Sequence, residues 1–192
     1  MQNVSHFLFP YNERNESMKR FLFLIPMIAL LTSCGSTTAA APDMDICFSA
    51  EADIAYGDKE CTVQMRRFSE NRWEFCVTEP YALEGAVIRI EDGKTTVSMF
   101  DTEALADING EAVSVTKLIS DAVEAAIDNT SDATVKDGVI TLSGQSPTCA
   151  YTLSFGEDKR PALLSMEERD VKVEFTKFVE MEKGEEDIIP IE

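Results

Sequence analysis

Few residues of this chain are types that catalyse reactions, and fewer are spaced for it. The one histidine is His6, near the start. The folded region therefore offers no histidine base for a serine or cysteine nucleophile. Ser143-Gly144-Gln145-Ser146 does not form the G-x-S-x-G turn that exposes a nucleophilic serine. Paired carboxylates could serve glycoside hydrolysis, but with 35 acidic residues chance pairs are expected. Asp101, Asp107 and Asn109 supply oxygen ligands without the order of a calcium-binding EF-hand loop. The run reads as a solvated acidic loop. Cys47, Cys61, Cys76 and Cys149 have neither C-x-x-C spacing nor a nearby histidine, so zinc is not expected. The chain reads as a non-enzyme without a cofactor or metal.

The remaining cysteine, Cys34, has a context of its own. Lys19 and Arg20 precede an apolar run of eleven residues, Phe21 to Leu31. As a helix that run is about 16 Å long, too short to cross a bilayer and right for a signal h-region. It ends in Leu31-Thr32-Ser33-Cys34, which resembles the bacterial lipobox. The resemblance implies a diacylglyceryl group on the Cys34 thiol and cleavage just before it. Residues 1–33 are then a signal peptide, with Met18 the expected start, and His6 is lost with them. The mature product is a palmitate-bearing lipoprotein held on the extracytoplasmic side of a cell-envelope membrane.

Cleavage at Cys34 leaves 159 residues, enough for one domain with a core. It removes Arg14, Lys19 and Arg20 with Glu13 and Glu16, leaving 14 basic and 33 acidic residues, a net charge of −19. Such a charge repels phosphate backbones, which excludes nucleic acid as a partner, and disfavours lying on anionic lipid heads. The anchor must be the lipid. After export the four other cysteines could form two bridges, or stay as small buried apolar residues.

The elements follow from periodicity. Residues 34–44 are small and polar and read as a flexible tether. From Cys47 apolar residues alternate: Phe48, Ala50, Ala52, Ile54; then Cys61, Val63, Met65; then Trp73, Phe75, Val77. Period two means half-buried strands. Asp92-Gly93 and Asp137-Gly138 between apolar runs predict tight hairpins. About ten strands are expected. Between Ser114 and Asp128 the period changes. Leu118, Ile119, Ala122, Val123, Ala126 and Ile127 form one helical stripe, with Ser114 as its N-cap. Residues 181–192 read as an acidic tail.

The expected fold is mainly β (α+β): an incomplete antiparallel barrel of about ten strands around one principal helix on its concave face. Glu79-Pro80-Tyr81-Ala82-Leu83-Glu84-Gly85 resembles an E-P-x-x-L-x-G bend after the third strand, and Val171–Phe178 a closing strand, of the LolA-like lipoprotein-carrier domains (LolA, LolB, LppX and LprG). The likeness covers about residues 45–180. It implies a half-barrel that takes acyl chains inside. The inward series contains small residues (Ala50, Ala52, Cys61, Cys149), and no arginine is expected to point inward.

Ten residues are expected to line a greasy groove: Ile54, Val63, Met65, Phe75, Val77, Ile88 and Ile90 from strands, faced by Leu118, Ala122 and Val123. One helix cannot cover ten strands at ~4.8 Å spacing, so the rest must be filled, covered or open. The partners expected are the membrane, through the lipid, and a lipid or other hydrophobic molecule. The alternative is a filled core and a protein partner.

Overall fold

Alternation governs the fold. In strand β2 (Phe48–Tyr56), Phe48, Ala50, Ala52 and Ile54 are all 3% exposed or less, while the residues between them are more open. The computed structural model describes residues 37–38, 40–99, 102–105, 111–129 and 133–182, all within one compact unit, Ser36–Glu192. The other strands are β1 (Thr37–Thr38), β3 (Lys59–Ser69), β4 (Arg72–Glu79), β5 (Val87–Glu91), β6 (Lys94–Met99), β7 (Thr102–Leu105), β8 (Ala133–Lys136), β9 (Val139–Gln145), β10 (Ala150–Phe155), β11 (Pro161–Met166) and β12 (Val171–Glu180). Helix α1 is Glu111–Asp128, and 3-10 turns lie at Tyr81–Leu83 and Glu167–Arg169.

All pairings are antiparallel, in the order β1-β8-β9-β10-β11-β12-β2-β3-β4-β5-β6-β7. The sheet is open, with β1 and β7 at its edges. The last strand pairs with the first long one, Val171 opposite Tyr56 through Glu180 opposite Phe48. This joins two meanders into one sheet. Both Asp-Gly turns form as expected. Asp92 and Gly93, like Asp137 and Gly138, all have positive φ, which turns a hairpin with the twist of its strands.

The open antiparallel sheet with one helix is the expected architecture, and its details differ at three places. Two strands join the ten expected, because β7 is added and because Thr37–Thr38, in the expected tether, pairs with β8. The tether is also packed at its far end, where Met44 is 4% exposed. Ser114 is not an N-cap, since α1 starts three residues earlier. Of the two states open to the cysteines, 47, 61, 76 and 149 take that of free thiols.

The core lies between the concave face and α1. Trp73 stacks on Phe75 at 5.9 Å and meets the edge of Phe48 at 5.6 Å; Phe178 stacks on Phe48 from β12 at 4.6 Å. On the other half, Leu142, Leu153, Leu164 and Met166 are fully buried. There, Gly144 of β9 sits opposite Tyr151 of β10. A Cβ on Gly144 would lie 2.5 Å from the tyrosine hydroxyl and 2.8 Å from Cζ, so the ring occupies the space that glycine leaves. Gly144→Ala is expected to cost about 1–3 kcal/mol by overpacking and to lower Tm by several degrees. An unchanged Tm would mean that the ring does not cover this glycine.

Candidate functional site: an apolar cavity and a buried arginine

The cavity begins with a bend. After the cis Glu79–Pro80 bond the chain makes one 3-10 turn. Leu83 N–H donates to Pro80 O (2.8 Å), and Ala86 N–H to Leu83 O (3.0 Å). Gly85, at φ +80°, reverses the chain in a conformation that costs an L side chain. Its N–H reaches Val77 O at 2.9 Å, and Val77 N–H reaches Ala86 O at 2.9 Å. The bend is thereby tied at both ends, and Pro80 and Leu83 line the same cavity as the ends of β2 and β3.

Between this bend, strands β2, β3 and β5, and the first half of α1 is a cavity of about 450 Å³. Its wall is mostly apolar: Ile54, Val63, Ile88, Leu83 and Val115, with Tyr56, Pro80 and Cys61. Lys59, Glu60 and Thr116 supply the polar atoms. Burial pushes the Cys61 thiol up from its ordinary pKa, and the charge of Asp53 adds to this. A second hollow, about 540 Å³, shares Ile54, Glu60, Cys61 and Pro80 but is polar, lined also by Asp53, Thr62, Glu79, Lys172 and Glu174. Its groups pair with each other: Thr62 donates to Asp53 at 2.8 Å, and Lys172 is ion-paired with Glu174.

The structure distributes the ten expected groove residues unequally. Ile54, Val63 and Ile88 line the 450 Å³ cavity. Met65, Phe75, Val77, Ile90, Leu118, Ala122 and Val123 do not line it, although all ten belong to the core cluster. Sequence reasoning missed Leu83, Pro80, Val115, Tyr56 and Thr116 as lining residues. The E-P-x-x-L-x-G pattern was the available signal for the first two. Cys34, Asp101, Asp107, Asn109 and residues 183–192 of the acidic tail lie outside the described residues. The start of that tail is held, with Met181 N–H on Cys47 O at 2.9 Å.

Farther along β3, about 20 Å from Cys61 at ~3.3 Å per residue, an arginine does point inward. Arg67 is 3% exposed. The expectation of none ended the alternation at Met65. One more step of period two puts residue 67 on the inner face. Its Nε and Nη2 donate to the two carboxylate oxygens of Glu124 in α1, each at 2.9 Å. Nη1 donates to Ile46 O at 2.9 Å and Nη2 to Asp45 at 3.3 Å. Trp73 Nε1 donates to Glu124 at 2.8 Å. Burial works against the charged guanidinium, but the hydrogen bonds and charge of Glu124, then those of Asp45, outweigh it and raise its pKa above the ordinary value. The cluster ties the segment before β2, the sheet and the helix at one point.

No protein-family model matches this sequence, and no curated protein matches it. Solved structures do resemble it. An uncharacterised conserved protein from Thermus thermophilus aligns at 11% identity and TM-score 0.44, over 86% of this chain and 88% of that one. One chain of the CwlD amidase–GerS lipoprotein complex from Clostridioides difficile aligns at 14% and 0.40, over 91% of this chain and 96% of that one. A LolA superfamily protein from Nitrosomonas europaea aligns at 10% and 0.42, over 74% and 89%.

Proposed function

We propose that this chain is a lipid-anchored, non-enzymatic envelope protein that binds an acyl-type hydrophobic ligand in the cavity behind the Pro80–Leu83 bend. The observation that carries the reading is the cavity itself: about 450 Å³ and mainly apolar, walled in part by the core residues Ile54, Val63, Ile88 and Val115. Small-molecule sites span about 300–1,000 Å³ with a few polar groups at the edge. Burying an alkyl chain there gains ~25 cal/mol per Å² of apolar surface. A lipid on Cys34 would hold the site beside a supply of such chains.

Cys61 and Cys76 make the test. Cys61 lines the cavity. Cys76 alternates with the inward-facing Phe75 and Val77, so it lies on the opposite face of β4. Its thiol is also raised, by burial and then by Glu74, against the opposing charges of Arg66 and Arg89. Both should react with maleimide slowly near neutral pH and faster above the usual thiol range. A saturated fatty acid at ten times its Kd is expected to slow Cys61 about tenfold by mass action and leave Cys76 unchanged. Equal rates with and without the fatty acid would turn the reading to a protein-interaction lipoprotein. For that alternative the favouring observation is Tyr81, 90% exposed on the rigid bend, an aromatic of the kind that anchors interfaces.

A further inference from the structure

We infer that the cavity takes a single alkyl chain of limited length, so the ligand class is a one-tailed amphiphile and not a diacyl lipid; this rests on the ligand reading above. A methylene fills roughly the ~30 Å³ of a liquid water, so about 450 Å³ holds about fifteen carbons. The floor is closed. The next inward residues along the same elements are Ala52 after Ile54, Met65 after Val63, Ile90 after Ile88 and Ile119 one turn after Val115. None of the four lines the cavity. Met65 and Ile119, both 0% exposed, stop a chain from running deeper between sheet and helix. A second tail therefore has no room beside the first and no channel below it.

The rim sorts the ends of the ligand. Lys59, Glu60 and Thr116 supply the wall's polar side chains, with Lys59 and Glu60 in the strand end beside the β2–β3 turn. The tail enters between Leu83 and Val115, and the head group stays at the rim in water. Carrying both signs of charge, the rim selects for tail length more than for head charge.

The test is displacement of a fluorescent fatty-acid probe from the full processed chain. Competitors are saturated fatty acids of eight to eighteen carbons, a lysophospholipid and a diacyl phosphatidylglycerol. Affinity is expected to rise by up to about fourfold per methylene and to level off near fifteen carbons. The lysophospholipid should compete like the fatty acid of equal tail, and the diacyl lipid at least tenfold more weakly. Ile88→Ala deepens the wall and should move the plateau to longer chains. Cys61→Leu, at a half-exposed position, fills it and should move the plateau to shorter ones. Equal or tighter binding of the diacyl lipid, or a plateau that neither variant moves, overturns the single-chain inference while leaving an acyl site in place. Failure of every competitor and of the probe itself overturns the ligand reading and this inference together.

Discussion

Glu124→Leu is expected to destabilise the domain by about 3–5 kcal/mol, the usual cost of removing one partner of a buried ion pair. The reason lies in what the carboxylate receives. Both oxygens of Glu124 accept from Arg67, and one also accepts from Trp73 Nε1. The leucine would leave a guanidinium that is 3% exposed with Ile46 O and the more distant Asp45, whose side chain is 75% exposed. It would also leave the indole N–H without its acceptor. Native domains have only about 5–15 kcal/mol in hand, so this one change should remove about a fifth or more of the stability. Arg67→Met with Glu124→Leu tests the cause. With both charges gone, most of the loss should return, because well-packed apolar replacements of buried pairs are often neutral or better. The residual cost is the Trp73 N–H, about 1–3 kcal/mol. Urea unfolding of the four proteins in the cycle gives the coupling energy directly. Single variants that cost under about 1 kcal/mol, the level of a solvent-exposed pair, would show that the cluster is open to water.

This cluster shows where the sequence was legible and where it was not. Period two located β2, β3 and β4 because each strand has one wet and one dry face, and the two Asp-Gly turns located the hairpins β5–β6 and β8–β9. The stripe from Leu118 to Ile127 located α1 for the same reason at period 3.6. Both signals come from apolar residues, and Arg67 is not one. A charge on the inner face breaks the pattern that defines a strand, so the apolar alternation stops short of it. Only the partner on α1, 57 residues away, makes the position intelligible. The short strands were missed for another reason. Thr37–Thr38 is two polar residues at a sheet edge, and its partner Thr134–Val135 is distant in sequence. The candidate site was half legible. Ile54, Val63 and Ile88 share the periodicity of the core, which marks an inward side chain but cannot tell a packed neighbour from an empty one. Trp73 and Phe75 decide that by filling one part of the concave face. The bend that closes the other part is built from backbone hydrogen bonds, which residue type records only through Pro80 and Gly85.

Cys34→Ala is expected to abolish lipid attachment and processing altogether, while leaving the domain's unfolding transition where it was. The motive is the order Lys19-Arg20, the apolar run, then Leu31-Thr32-Ser33-Cys34, which resembles a lipobox. Among the described residues no helix is long and apolar enough to cross a membrane. The apolar run Phe21–Leu31, eleven residues, falls short of the roughly 20 that a span needs. A net charge of −19 after cleavage at Cys34 opposes adsorption to anionic lipid heads. One acyl chain gives only marginal, reversible binding, and stable anchoring takes two. A diacylglyceryl thioether on Cys34 supplies two at one residue. Mass spectrometry of the wild-type protein should therefore show a chain beginning at Cys34 with a diacylglyceryl adduct, and metabolic palmitate labelling should be complete. The alanine variant should carry no label and should retain its leader, because the peptidase that cuts before a lipobox cysteine acts on the lipidated form. An alanine variant with the mass and membrane fractionation of wild type would refute the anchor. The same variant separates anchoring from binding. The cavity wall runs from Ile54 to Thr116, outside the leader and tether, so purified Cys34→Ala should still protect Cys61 from maleimide when fatty acid is added. If wild type were protected without added fatty acid and Cys34→Ala only with it, the chain seated in the wild-type cavity would be its own anchor.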